Sequence, residues 1–256
     1  FSGAQGVRSD VVISDGTPEG TRLLLETDGA QGNLPHSFTT FDNDLYFVAG
    51  NGEEGNESLW RSDGYTTNTL VITDDSYPFE NVFAASLAGD RLLVETDDGQ
   101  NPIWYLERGS ETLQPLENLG LQPVDQDPSV SLPIRGSGML IFPRRNDEVQ
   151  SDRLPFLAYD STVGTELYMT DGTTGGTQLL GDINPGPSSI WSWSITPLVP
   201  NRFLFEVDTP EHGNEYYYSN GTASGTRLIA DINEGVGHGV MSRDLSLNWL
   251  RWQPAA

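Results

Sequence analysis

The feature that most constrains this chain is a phrase that recurs along it. The clearest copy runs from Thr165 to Gly186, TELYMTDGTTGGTQLLGDINPG. It reads as a strand over 166–170, a tight turn on Asp171-Gly172-Thr173, a second strand over 177–182 and a Pro-Gly loop. The phrase returns with turn glycines Gly16, Gly64, Gly109, Gly172 and Gly221, at spacings of 48, 45, 63 and 49 residues. A four-strand unit repeating every ~45–50 residues is the size of a propeller blade.

The local chemistry agrees with strands. Arg202 to Asp208 alternates polar and apolar apart from Leu204, and no window holds a 3.6-residue apolar stripe over three turns. Asp15, Asp63 and Asp171 each precede a glycine, pairing a turn-capping side chain with a residue that tolerates positive φ. Asn220-Gly221 does the same work, whereas Arg108-Gly109 keeps only the glycine, so the third unit is degenerate. The long interval reads as an insertion near 144–159, RRNDEVQSDRLPFLAY, polar enough to suggest a loop.

The fold expected is therefore all-β, a β-propeller of about five four-stranded blades, with a stacked solenoid as the alternative. After a leader of residues 1–9, the units span about 10–55, 56–100, 101–164, 165–213 and 214–252, with blade boundaries near 55, 100, 164 and 213. Asp244 to Trp252 matches the segment Asn201 to Asp208, so the array has the strands to join its first and last blades.

Composition narrows the partners. The chain carries 37 acidic residues against 13 basic ones, all of them Arg, for a formal charge of −24. That charge repels nucleic acid and anionic lipid, and favours cations and a salty medium. There is no cysteine, which removes disulfides, thiolate metal sites and cysteine nucleophiles. No apolar run approaches the ~18–20 residues of a membrane span. The sequence opens on Phe1, which fits a processed, exported chain.

At SLWRSDGYTTNT, ELYMTDGTTGGTQLLGDINPG and EYYYSNGTASGTRLIADINEG, with VVISDGTPEGTRLLLETDG as a weaker copy, the chain resembles the bacterial ELWxxDGT-repeat proteins. The resemblance covers roughly Asp10 to Trp252, in four units of five. It implies a propeller exported to the periplasm, cell surface or medium, and it brings no catalytic residues to carry over.

Function is then sought in departures from the repeat. Asp15, Asp63 and Asp171 are candidate Ca²⁺ ligands at successive blades, against the simpler role of capping their own turns. Asp42-Asn43-Asp44 starts like an EF-hand loop but has Phe47 where glycine is required. His36, His212 and His238 fall in different units without ligand spacing, and His212 reads as a turn residue on a solvated hairpin. Gly235-Val236-Gly237-His238-Gly239 imitates a phosphate loop, yet no helix follows it. Asn56-Glu57-Ser58 and Asn220-Gly221-Thr222 fit a glycosylation sequon, but the repeat already explains both turns.

Aromatic and basic clusters are the candidate partner contacts. Trp191 and Trp193 share one side of a strand if alternation holds. Trp249 and Trp252, with Arg251, come at the last strand, where they either seal the ring or anchor a partner. Trp60, Trp104, Tyr168 and Tyr217 occupy one repeat position and are assigned to the space between blades. Arg144, Arg145 and Arg153 make the insertion a second docking loop. Three function classes follow. The first is a non-catalytic interaction module, an accessory subunit of a larger envelope or extracellular assembly. The second is a glycan- or Ca²⁺-binding lectin-like propeller, and the third a polysaccharide hydrolase or lyase with channel carboxylates.

Overall fold

The structure is a computed structural model and describes residues 10–26, 35–50, 56–74, 76–98, 101, 103–117, 119–122 and 151–239. Among these residues the chain forms five antiparallel sheets. The first holds β1 (Val11–Ile13) and β2 (Arg22–Leu25). The second holds β3 (His36–Phe41), β4 (Asp44–Gly50), β5 (Glu57–Ser62) and β6 (Thr69–Val71). The third holds β7 (Val82–Ala88), β8 (Arg91–Thr96), β9 (Ile103–Glu107) and β10 (Gln114–Pro115). The fourth holds β11 (Leu154–Asp160), β12 (Gly164–Thr170) and β13 (Gln178–Leu179). The fifth holds β14 (Trp191–Val199), β15 (Arg202–Thr209), β16 (Gly213–Ser219) and β17 (Arg227–Leu228). Each is a meander of sequential neighbours, and these sheets are the blades of a β-propeller.

The core lies between blades. Each sheet turns a leading face to the next sheet and a trailing face to the one before, and alternation along the strands supplies both. Val11 and Leu24 meet Phe47 and Ala49 between the first and second sheets. Tyr46, Val48 and Leu59 meet Leu92, Val94 and Trp104 between the second and third. Leu93, Ile103 and Leu116 meet Leu154, Phe156 and Tyr168 between the third and fourth. Leu157, Leu167 and Leu180 meet Phe203, Phe205 and Tyr217 between the fourth and fifth. Trp60, Trp104, Tyr168 and Tyr217 do fill the space between blades, one per trailing face. In three sheets the ring stacks on a phenylalanine across the strand pair: Phe47–Trp60 at 6.4 Å, Phe156–Tyr168 at 5.7 Å and Phe205–Tyr217 at 5.9 Å.

Two features differ from the sequence reading. Sheets and sequence units are out of phase, because the recurring phrase supplies the last two strands of each sheet. The expected boundaries near 55, 100, 164 and 213 therefore fall at the hairpins β4–β5, β8–β9, β11–β12 and β15–β16. The supposed loop at 144–159 also contains a central strand: Leu154 to Ala158 are buried and pair with β12 from Leu154↔Thr170 to Asp160↔Gly164. The charged flank and Pro155 disguised it. The extra residues of the long interval lie between β10 and β11, largely over 123–150 outside the described residues.

Candidate functional site

The turn motif is a closed circuit of short hydrogen bonds. Thr173 donates both its backbone N–H (2.9 Å) and its hydroxyl (2.6 Å) to Asp171 Oδ1, and Thr173 Oγ1 accepts from Gly176 N at 2.9 Å. Gly172 N donates to Thr170 Oγ1, which shares a 2.8 Å bond with Thr177 Oγ1. Ser14 to Thr21 and Ser219 to Thr226 repeat the pattern, with Asn220 replacing aspartate. Asp63 bonds Tyr65 N and Asn68 Nδ2 instead. Gly172 sits at φ +83°, a conformation that a side chain would strain. The bonds from Thr17 hold the Asp15 carboxyl below its usual range, as the Asn68 amide does for Asp63. The candidate Ca²⁺ ligands Asp15, Asp63 and Asp171 are thus engaged by their own turns. Among the described residues no three acidic or histidine side chains converge on a point.

The glutamate that opens the phrase works from below. Glu166 is fully buried on β12, and its Oε1 accepts the Asn184 N–H at 3.0 Å, tying the strand to the loop 182–187. Glu215 is equally buried and accepts from Ile232 N at 3.2 Å and Asn233 N at 3.3 Å. Burial pushes the Glu166 carboxyl up to about 8, so it is neutral over most of the physiological range. As carboxylates for glycoside chemistry, Glu166 and Glu215 are badly placed: neither is open to a substrate.

Arginines join successive blades at the turn end. Arg22 donates to the Gly64 carbonyl at 2.9 and 2.7 Å, Arg91 to that of Gly172, and Arg153 to that of Gly221 at 3.1 Å. Arg153 also reaches Gly176 O at 3.0 Å, so it is a clamp within the fold and not part of an open docking loop. The degenerate third turn takes its cap from the preceding sheet. Asp42, in the β3–β4 turn, accepts from Gly109 N at 2.6 Å and from Arg108 at 2.8 Å. The Gly109 N–H lowers its carboxyl pKa most. Sequence reading discarded Asp42 with the EF-hand, and only its place opposite the degenerate turn could have marked it.

The remaining candidates divide by position. Arg144, Arg145, Trp249, Arg251 and Trp252 lie outside the described residues. Trp191 and Trp193 lie on β14, but pairing with β15 slips between Ser192 and Ser194, so the simple alternation assumed there is interrupted by a bulge. His212 is half-buried, with Nδ1 3.1 Å from Asp231 Oδ2, and latches the β15–β16 hairpin to the loop after β17. His238 Nδ1 accepts the Asn214 N–H at 3.1 Å, so the 235–239 glycine run packs on β16.

The departure that matters most is on the fifth sheet's leading face. Leu180 N and Ile229 N make the same bond, to Leu167 O and Tyr216 O, as do Ile72 N to Leu59 O and Leu116 N to Ile103 O. These residues are therefore structural equivalents. Leu180 and Leu116 are buried beneath the next sheet, whereas Ile229 is 55 % exposed and Ile232 61 %. The chemistry of the face changes with its exposure: Leu167 and Met169 of the fourth sheet become half-buried Tyr216 and Tyr218. Arg227 lies over the Tyr218 ring at 5.0 Å. Tyrosine and arginine beside exposed aliphatics are what a binding surface is built from.

No family model and no curated protein matches the chain. Among solved structures it is similar to a puromycin hydrolase, at 14 % identity with a TM-score of 0.54 over 88 % of this chain and 32 % of that one. A structure from a study of two prolyl endopeptidases gives 11 % identity and a TM-score of 0.52 over 86 % and 30 %. A puromycin-hydrolyzing peptidase of Mycobacterium tuberculosis gives 15 % and 0.50 over 88 % and 31 %. The chain spans about a third of each of these proteins. At such identities the likeness concerns architecture alone, and that architecture is the β-propeller.

Proposed function

We propose that this chain is a non-catalytic interaction module, an accessory subunit of a larger assembly, which docks a protein partner on the leading face of its fifth sheet. The observation that carries this is the exposure of Ile229 where its repeat equivalents Leu116 and Leu180 are buried and Ile72 packs partly buried against the core. An apolar, tyrosine-rimmed patch that the described sheets leave exposed gains free energy from any complementary surface that covers it. Export to the envelope or the medium rests on the resemblance to ELWxxDGT-repeat proteins, and the charge of −24 suits a partner that is neither nucleic acid nor anionic membrane. The test is to isolate the chain from its native source without denaturant, and to compare wild type with Ile229→Asp. Loss of a stoichiometric partner at unchanged Tm supports the reading. A wild-type chain that runs alone as a 28.0 kDa monomer contradicts it.

A further inference from the structure

Three polar side chains at the start of β3 form a relay that neither the turn circuits nor the blade clamps use. Ser37 Oγ stands 3.0 Å from His36 Nδ1, and His36 Nε2 stands 3.3 Å from Glu57 Oε1 on β5. A carboxylate only accepts, so the ring proton sits on Nε2 and donates to Glu57. That tautomer leaves the Nδ1 lone pair facing the Ser37 hydroxyl, which donates to it. Glu57 is held in turn: its backbone N–H donates to Asn81 Oδ1 at 3.2 Å, and Asn81 Nδ2 donates to Asp97 Oδ2 at 3.0 Å. The His36 side chain is 38 % exposed and that of Glu57 17 %, so the base is open to solvent while its partner is mostly covered. The backbone is unusual at the same point. Pairing of β3 with β4 slips between His36 and Thr39, and in that bulge Ser37 has φ +53°. Glycine or asparagine would adopt this left-handed conformation more easily. Serine adds a hydroxyl against the histidine, and strain of this kind gathers where side chains react.

We propose that Ser37 is an activated nucleophile, a site of covalent acylation by small activated esters or thioesters. His36 Nδ1 takes the hydroxyl proton as Ser37 Oγ attacks the ester carbonyl. The Oγ–C bond forms, the bond from that carbon to the leaving alkoxide or thiolate breaks, and the leaving group takes the proton from His36. Glu57 is a positioning residue that fixes the ring tautomer and stabilises the imidazolium between the two proton transfers. The charge of −24 favours neutral or cationic acyl donors over anionic ones. One acyl group is taken up per chain, so the site stands beside the docking reading and does not rest on it.

The chain has neither lysine nor cysteine, so the side chains that usually take up such reagents are missing. Folded wild type is treated with p-nitrophenyl acetate and digested, and the acetylated peptides are located by mass. Acetyl should appear on the peptide carrying Ser37, and that preference should vanish when the chain is unfolded in urea before treatment. Ser37→Ala should remove the label at unchanged Tm, and His36→Gln should slow labelling ~100-fold, as for a lost general base. Glu57→Gln still accepts the ring N–H but carries no charge, so it should slow labelling less than His36→Gln at unchanged Tm. Peptide mapping of wild type needs no variant, so a misfolded variant leaves the decision intact. No labelling, labelling spread over other hydroxyls, equal labelling of Ser37 in urea, or a His36→Gln chain as reactive as wild type each overturns the proposal. A Glu57→Gln chain as reactive as wild type overturns the positioning role.

Discussion

The fourth and fifth sheets are near-copies in sequence and opposites in environment. TELYMTDGTTGGTQLLGDINPG and NEYYYSNGTASGTRLIADINEG build the same strand pair, the same turn circuit and the same glutamate-capped loop. Every residue of β12 is buried, whereas β16 keeps Tyr216 and Tyr218 half-exposed and Ile229 stands in solvent. The local hydrogen bonds form a blade wherever the phrase occurs. How far the described sheets cover a blade is decided by its place among them, and the proposed docking uses that difference.

Truncating the equivalent pair should give the largest difference between the two sheets. Leu180→Ala should cost ~2–5 kcal/mol in a denaturant melt, the penalty for a cavity in a packed core, and Ile229→Ala less than ~0.5 kcal/mol. Equal losses would mean that the two sites share one environment. Next comes Glu166. Its folded-state pKa of about 8 lies above the unfolded value, so the folded state holds a proton that the unfolded state releases between about 4.5 and 8. The contribution is fully present below pH 4.5 and is lost as pH rises through 8. Glu166→Gln should flatten the fall in stability across that window, and a slope identical to wild type would contradict a buried, neutral carboxyl.

A smaller effect is expected at the turn. Gly172→Ala should destabilise by ~1–3 kcal/mol, because its φ is positive and its added Cβ meets Arg91 Cδ and Leu93 Cδ2 at 3.0 Å. Gly109→Ala, with φ +73° but open space around it, carries the backbone strain alone and should cost less. The smallest expected effect is that of calcium. Since Asp15, Asp63 and Asp171 are engaged by their own turns, melts in excess EDTA and in millimolar Ca²⁺ should superimpose. A bound ion would raise Tm by several degrees.

Much of this was legible in the sequence and some could not be. The turn chemistry is local, so Asp171, Gly172 and Thr173 announce it, and the spacing of the glycines announces the blades. The phase of the sheets is hidden because the loudest motif marks a blade's outer half. β11 is hidden because Arg153 precedes its apolar run and Pro155 stands inside it, although Arg153 turns out to clamp Gly176 and Gly221. Asp42 could not be connected to Gly109 without knowing which blades meet. Ile229 and Leu180 look alike in sequence, since exposure depends on the next sheet and not on the residue itself. The change from Leu167 and Met169 to Tyr216 and Tyr218 was the one visible sign.

A charge placed at each equivalent in turn, with stability and association read together, separates the two faces. Leu180→Asp should melt far below wild type or fail to fold, because an unpaired carboxylate is forced between two sheets. Ile229→Asp should keep the wild-type melting curve and lose association. An Ile229→Asp chain that unfolds as Leu180→Asp does, or that associates as wild type does, would show that the fifth sheet's leading face is not the docking face.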